Sequence, residues 1–200
     1  MLRCLSLSLK KKPSLKKMQA DRIRKAVVEL LAAIGEDPAR PELQSTPDKV
    51  ADAYASFFKG VGVSAVDAIG ETFAAEDSEM VLLKDIELVS ICEHHLLPFT
   101  GFAHIAYLPN QKLAGLGRLA NVVEIIAARP QLQERLTSEV AQALMDSLDP
   151  KGVLVVIEAR HQCVASRGAR QPEVNTVTVS TRGIYEDPSY RQEAMALINK

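Results

Sequence analysis

The sequence predicts an α+β domain: an antiparallel sheet with helices on one face, preceded by a pair of N-terminal helices. Three observations point there. The first sixty residues contain two stretches with apolar side chains at helical spacing. From about residue 79 the pattern changes to β-branched apolar runs with strand character. The order is then strand, strand, helix, helix, strand, strand, helix, which suits an antiparallel sheet.

The elements follow in order. Residues 19–34 set Ile23, Val27, Leu30, Leu31 and Ile34 at helical spacing, and Gly35 ends the run. A Pro-containing loop covers 36–45. Thr46-Pro47-Asp48 opens a second helix, with Thr46 as N-cap and Pro47 at the first helical position. It continues through Val50, Ala51, Tyr54, Phe57 and Phe58 to Gly60. Residues 60–78 lack a clear period and read as a connection. MVLLKDIELVSI (80–91) and GFAHIAYLP (101–109) are strands. Residues 117–128 and 130–148 are helices, with Pro130 starting the second. GVLVVIEARH (152–161) and VNTVTVSTRGIY (174–185) are strands, and 187–199 is a terminal helix. No repeat is visible at the level of identity. The chain divides into a basic tail (1–18), a helical region (19–75) and a sheet domain (76–200).

Composition sets limits on function. Hydrophobic residues make up 47% and charged residues 24%, ordinary for a globular chain. A net charge of −1 provides no field that would draw nucleic acid or an anionic membrane. No apolar run approaches the roughly 18 residues a membrane helix needs. Trp is absent and aromatics are 4%, so Val, Ile, Leu and Ala must build the core. Three cysteines, Cys4, Cys92 and Cys163, are too few and too odd for a disulfide framework, and they point to the reducing cytoplasm. The tail carries Arg3 and five lysines before the first acid, Asp21; a solvated tail explains this better than a targeting peptide.

The chemistry gathers in two short stretches. Cys92-Glu93-His94-His95 has the C-x-x-H spacing that lets one turn aim a thiolate and an imidazole at one ion, the soft and borderline ligands zinc accepts. His161-Gln162-Cys163 ends the 152–161 strand. Alternation along a strand would put 161 and 163 on one face, which makes Cys163 a third ligand with His161 beside it. Two Cys and one His leave a coordination position open for water, as a catalytic zinc requires. Spacing alone leaves a second reading open, in which both thiols are simply buried. His104, in an alternating strand, reads as structural. Gln133, Glu134, Arg167 and Arg170 read as solvated surface on the same grounds.

Taken together, the motifs resemble a known family. ICEHHLLPFTGFAHIAYLPN (91–110) is similar to the zinc-binding segment of GTP cyclohydrolase I, RPQLQERLT (129–137) to its guanine-binding helix, HQCVASRGAR (161–170) to its H-x-C-x-x-x-R-G segment, and TPDKVA (46–51) to its TPxRVA helix start. The resemblance spans roughly residues 20–200, with the motifs in order. It implies a tunnelling fold (T-fold) and a homodecamer whose sites are shared between subunits. It implies that Zn2+ is bound by Cys92, His95 and Cys163, and that His94 and His161 move protons. It further implies that Gln133 and Glu134 contact the guanine of GTP, and that Lys49, Arg118 and Arg167 face the triphosphate.

The chain also departs from that family's pattern. Where the family usually reads GLSKxxR, residues 115–121 read GLGRLAN, so Gly117 replaces Ser, Arg118 replaces Lys and Asn121 replaces Arg. Lys49 stands where Arg is usual. Lys and Arg are not equivalent at a bidentate phosphate site. An alternative expectation follows: a non-catalytic homologue, or one serving a specialised deazapurine or pterin pathway, with an altered triphosphate pocket. A zinc nucleobase deaminase is disfavoured, since the chain has no C-x-x-C.

Overall fold

A computed structural model describes residues 18–76 and 79–200. All but the last residue of the basic tail expected for 1–18, Cys4 included, lies outside them. The described residues form two units that divide after Asp52.

The first unit holds helix α1 (Ala20–Ala33) and the start of α2 (Thr46–Phe57). Arg24 on α1 joins them: its guanidinium donates to Asp48 at 2.5 Å and to Asp21 at 2.7 Å. The Lys49 N–H donates to Ser45 O at 3.1 Å, so the first helical carbonyl belongs to Ser45 and the expected N-cap moves back one residue from Thr46.

The second unit is built on a five-stranded sheet. Its strands are β2 (Val81–Cys92), β3 (Pro98–Leu108), β5 (Pro130–Gln131), β6 (Gly152–His161) and β7 (Thr176–Gly183), in the order β5-β2-β3-β6-β7. The four long strands are antiparallel, and β5 runs parallel to the end of β2. A two-stranded ribbon pairs β1 (Thr72–Ala74) with β4 (Lys112–Ala114), inside and beside stretches expected to be loop. Pro130 does not start a helix. It sits in β5, and α4 (Gln133–Leu148) starts three residues later; a two-residue strand is too short for any period to reveal.

Helices α3 (Leu116–Ala127) and α4 cover one face of the sheet. Their stripes Leu119, Val122, Val123, Ile126 and Leu136, Val140, Leu144 pack on Ile105, Val153, Val155 and Ile157. Each such fully buried side chain contributes about 1.5–3 kcal/mol against exposure. Alternation turns Ala106, Leu154 and Val156 to the other face, where Ala194 and Ile198 of the terminal helix α6 (Pro188–Ile198) cover them. No helix among the described residues is long and apolar enough to cross a membrane.

Two backbone details set the sheet's shape. At Gly101 in β3 a Cβ would come within 1.9 Å of Glu158 O, so only glycine allows this approach of β3 to β6. In β2 the register shifts between Leu83 and Ile86, with Asp85 at φ 57°. The Asp85 N–H, removed from the ladder, donates to Nδ1 of buried His104 at 3.2 Å. His104 thus has a structural partner.

That contact has a pH signature. Burial pushes the His104 imidazole below its usual value, against the opposing pull of Asp85 and Glu158. Below about pH 6.5 the unfolded chain takes up a proton that the folded chain resists, so stability falls as pH falls. His104→Asn keeps an acceptor for Asp85 but cannot titrate. Urea unfolding between about pH 7.5 and about pH 5.5 should therefore show a smaller acid loss in His104→Asn than in the parent. An equal loss in both would remove His104 from the acid response.

Candidate active site

Antiparallel pairing brings the end of β2, the start of β3 and the end of β6 to one end of the sheet, and β5 adds the start of α4 there. The connection from β2 to β3 is tight. The Cys92 N–H donates to Leu97 O and the Leu96 N–H returns to Cys92 O, both at 2.9 Å, with Leu96 at φ 52°. A left-handed leucine is uncommon and costs energy, and such strain concentrates at functional sites.

The neighbouring Glu93 anchors this turn. Its N–H donates to Gln131 O at 3.0 Å, and its carboxylate accepts from Arg135 on α4. Arg135 also donates to Gln131 Oε1 at 2.9 Å and to Pro130 O at 3.0 Å. The guanidinium holds the Glu93 carboxyl below its usual range.

Cys163 arrives by a route other than the one expected. Strand β6 ends at His161, and Gln162–Ala165 forms one helical turn, α5, closed by the Ser166 N–H to Gln162 O bond at 3.0 Å. Alternation therefore does not align 161 with 163; the helical turn swings Cys163 toward the β2–β3 connection. One ligand atom each of Cys92, His95 and Cys163 lies within 4.8 Å of the others, and the Cys92 Sγ to His95 Nδ1 distance is 3.9 Å. Burial, and then the adjacent Cys92, push the Cys163 thiol up, while Arg167 pulls it down. Two sulfurs and one imidazole nitrogen at this separation suit a metal ion about 2.0–2.3 Å from each, and a cation would reverse the penalty on two adjacent thiolates.

The groups expected to move protons flank this cluster. His94 is exposed, its ring 6.2 Å from that of His95 and perpendicular to it. His161 stacks on Phe99 with ring centroids 4.6 Å apart and planes 11° apart, as their direct register pairing dictates. Burial pushes His161 down, and Glu134 pulls it up. Glu134 is exposed in the first turn of α4, whereas the preceding Gln133 is turned inward and buried. Arg167 is exposed just past α5.

Arg118 stands elsewhere. With Gly117, Asn121, Glu87, Lys59 and Glu124 it lines a groove of about 970 Å³ between α3 and β2 that includes none of Cys92, His94, His95, His161 or Cys163. Lys59 and Glu124 form an ion pair there. Lys49 lies on α2 in the first unit. The Glu93–Arg135 anchor and the Phe99 platform did not stand out in the sequence. Glu93 and Arg135 are 42 residues apart, and no spacing rule joins them.

The family model for GTP cyclohydrolase I matches residues 23–199. "GTP cyclohydrolase 1" of Thermobifida fusca is 54% identical over 181 residues, covering 88% of this chain and 87% of its own length. "GTP cyclohydrolase 1" of Leifsonia xyli is 51% identical over 179 residues, covering 88% of this chain and 94% of its own. A solved archaeosine synthase QueF-Like structure aligns over 54% of this chain at TM-score 0.44 and 15% identity, too loose a likeness to carry an argument. A T-fold chain, with its Cys-His-Cys cluster at one end of the sheet, it belongs to the GTP cyclohydrolase I family of enzymes.

Proposed function

We propose that the chain hydrolyses GTP at C8 of the guanine, releases formate and forms 7,8-dihydroneopterin triphosphate, with Zn2+ held by Cys92, His95 and Cys163. The convergence of those three ligand atoms within 4.8 Å, beside His161 and Glu134, is the observation that carries this reading. The donor set favours zinc over hard oxygen-seeking cations. Held by Cys92, His95 and Cys163, a zinc ion would supply the Lewis acidity that makes hydroxide available near neutral pH.

The chain's own groups do the rest. C8 of guanine is a poor electrophile, and a proton on N7 makes it attackable; His94 or His161 is suited to donate and recover that proton. Water adds at C8, the ring opens to a formamide, and a second water releases formate. The ribose rearranges to a ketone, and the freed amine closes on it with loss of one water. Those later steps need proton carriers and no further cofactor. Glu134, exposed at the start of α4, accepts hydrogen bonds from guanine N1–H and the 2-amino group. Adenine would leave that carboxylate unpaired.

Arg167 just past α5, Arg118 in the α3 groove and Lys49 on α2 supply cations for the triphosphate. The Arg118 groove includes none of the cluster's residues, which is compatible with the expected homodecamer, where one subunit's groove would complete the next subunit's site. Cysteines needed as free thiolates suit a reducing cytoplasm.

Incubation with GTP should release formate and yield a product that fluoresces as a pteridine after oxidation; a metal-loaded protein that releases none overturns the reading. Cys163→Ala should lose most of the zinc found in the parent by elemental analysis, and full retention would move the metal elsewhere. Glu134→Ala should weaken GTP binding by about 1.5–3 kcal/mol per lost charged hydrogen bond, read as a raised KM. An unchanged KM would place the guanine away from α4.

A further inference from the structure

We infer that Gln133 is a positioning residue: its buried amide fixes the orientation of His161 and its tautomer, with the proton on Nε2 and Nδ1 left as the open acceptor. The kinetic part of this inference rests on the ring-opening function proposed above; the tautomer does not.

The argument starts from the amide. Gln133 is 1% exposed, and the two hydrogens of its Nε2 are shared among Ile157 O at 2.9 Å, Thr176 O at 2.9 Å and Thr178 Oγ1 at 3.2 Å. Exchanging the amide's oxygen and nitrogen would set an oxygen 2.9 Å from two carbonyl oxygens with no proton between them. The orientation is therefore determined by its partners, which is the proper basis for assigning an amide. The hydroxyls agree with it. Thr137 Oγ1 donates to Gln133 O at 2.7 Å, so Thr178 gives its proton to Thr137 at 2.6 Å and accepts from the amide.

With Nε2 turned to those acceptors, Gln133 Oε1 faces His161 Nε2 at 2.7 Å. That oxygen can only accept, so His161 Nε2 must carry a hydrogen in either charge state of the ring. The Phe99 stack fixes the plane of the imidazole, and the Gln133 bond fixes its rotation within that plane. Nδ1 has no hydrogen-bond partner among the described residues. The ring is therefore held in one plane, one rotation and one tautomer by its two neighbours.

This role differs from the direct guanine contact that the resemblance implies for Gln133. A side chain that binds substrate would show its loss mainly in KM. One that orients a proton carrier shows it in kcat, by about 10- to 100-fold for an outer partner of a site residue.

The test is 15N NMR of the imidazole nitrogens in the full-length, metal-loaded protein, joined to steady-state kinetics with GTP. The parent should show His161 as the Nε2–H tautomer. Gln133→Met should show a mixture, keep its zinc, hold KM within about twofold and lose about 10- to 100-fold in kcat. Gln133→Asn, which keeps an amide but withdraws it by one methylene, should shift both readouts the same way and serves if the Met variant does not fold. An Nδ1–H tautomer in the parent overturns the inference. So does a Gln133 variant with a raised KM and normal kcat. A parent with the Nε2–H tautomer but no formate release would sink the proposed reaction and leave the lock standing.

Discussion

The site depends first on the unbroken pairing of β3 with β6. Ten consecutive residue pairs, from Phe99 with His161 to Leu108 with Gly152, run without a bulge. Gly101 lets the two strands approach where any side chain would strike Glu158 O. A slip of one residue would turn every side chain of β6 to the opposite face. It would take Ile157 off the core, remove His161 from Phe99 and carry α5 with Cys163 away from Cys92. The irregularity the sheet does contain is in β2, between Leu83 and Ile86, far along the strand from Cys92. There His104 supplies the partner that the ladder lacks.

The turn that carries Cys92 and His95 shows how charge is arranged around this frame. Glu93 lies between Cys92 and His94, and a free carboxylate there could compete for a cation. Arg135 holds it, and Gln131 and Glu139 hold Arg135 in turn. The carboxylate thus becomes a mechanical tie between the turn and α4, and the donors left facing Cys163 are the softer thiol and imidazole. Burial first, and then the adjacent Cys92, push the Cys163 thiol up, so two thiolates side by side are costly without a positive charge between them.

Much of this was legible in the sequence. The 3.6-residue periods gave α1, α3 and most of α4, and the β-branched runs gave β2, β3, β6 and β7, because each buries a continuous stripe. Cys92, His95 and Cys163 stood out by residue type and spacing. Elements of two or three residues did not, since β1, β4 and β5 are too short for a period. Nothing in Gln162-Cys163-Val164-Ala165 marks the change from strand to helical turn, so alternation predicts the wrong route to Cys163. The Gln133 amide was invisible for another reason. Its partners Ile157, Thr176 and Thr178 are 24 to 45 residues away, and two of those contacts are to backbone oxygens that carry no residue identity.

The start of α4 joins these features. Gln133 and Glu134 are adjacent, and a helix turns about 100° per residue, so one side chain enters the core while the next faces solvent. The inward one reaches His161. The outward one lies close enough to pull that imidazole's pKa upward, and it sits at the positive end of a sixteen-residue helix, where a carboxylate is favoured. In the proposed reaction a single rigid turn therefore sets both the group that reads the guanine edge and the group that carries a proton to the same ring. Their separation is fixed by backbone geometry and not by two independent loops. Positioning of this kind converts correct binding into correct alignment, because a substrate that satisfies Glu134 meets His161 at one distance and angle. The packing of Leu136 and Val140 against the sheet holds that turn in place, so the hydrophobic core contributes to alignment as well as to stability.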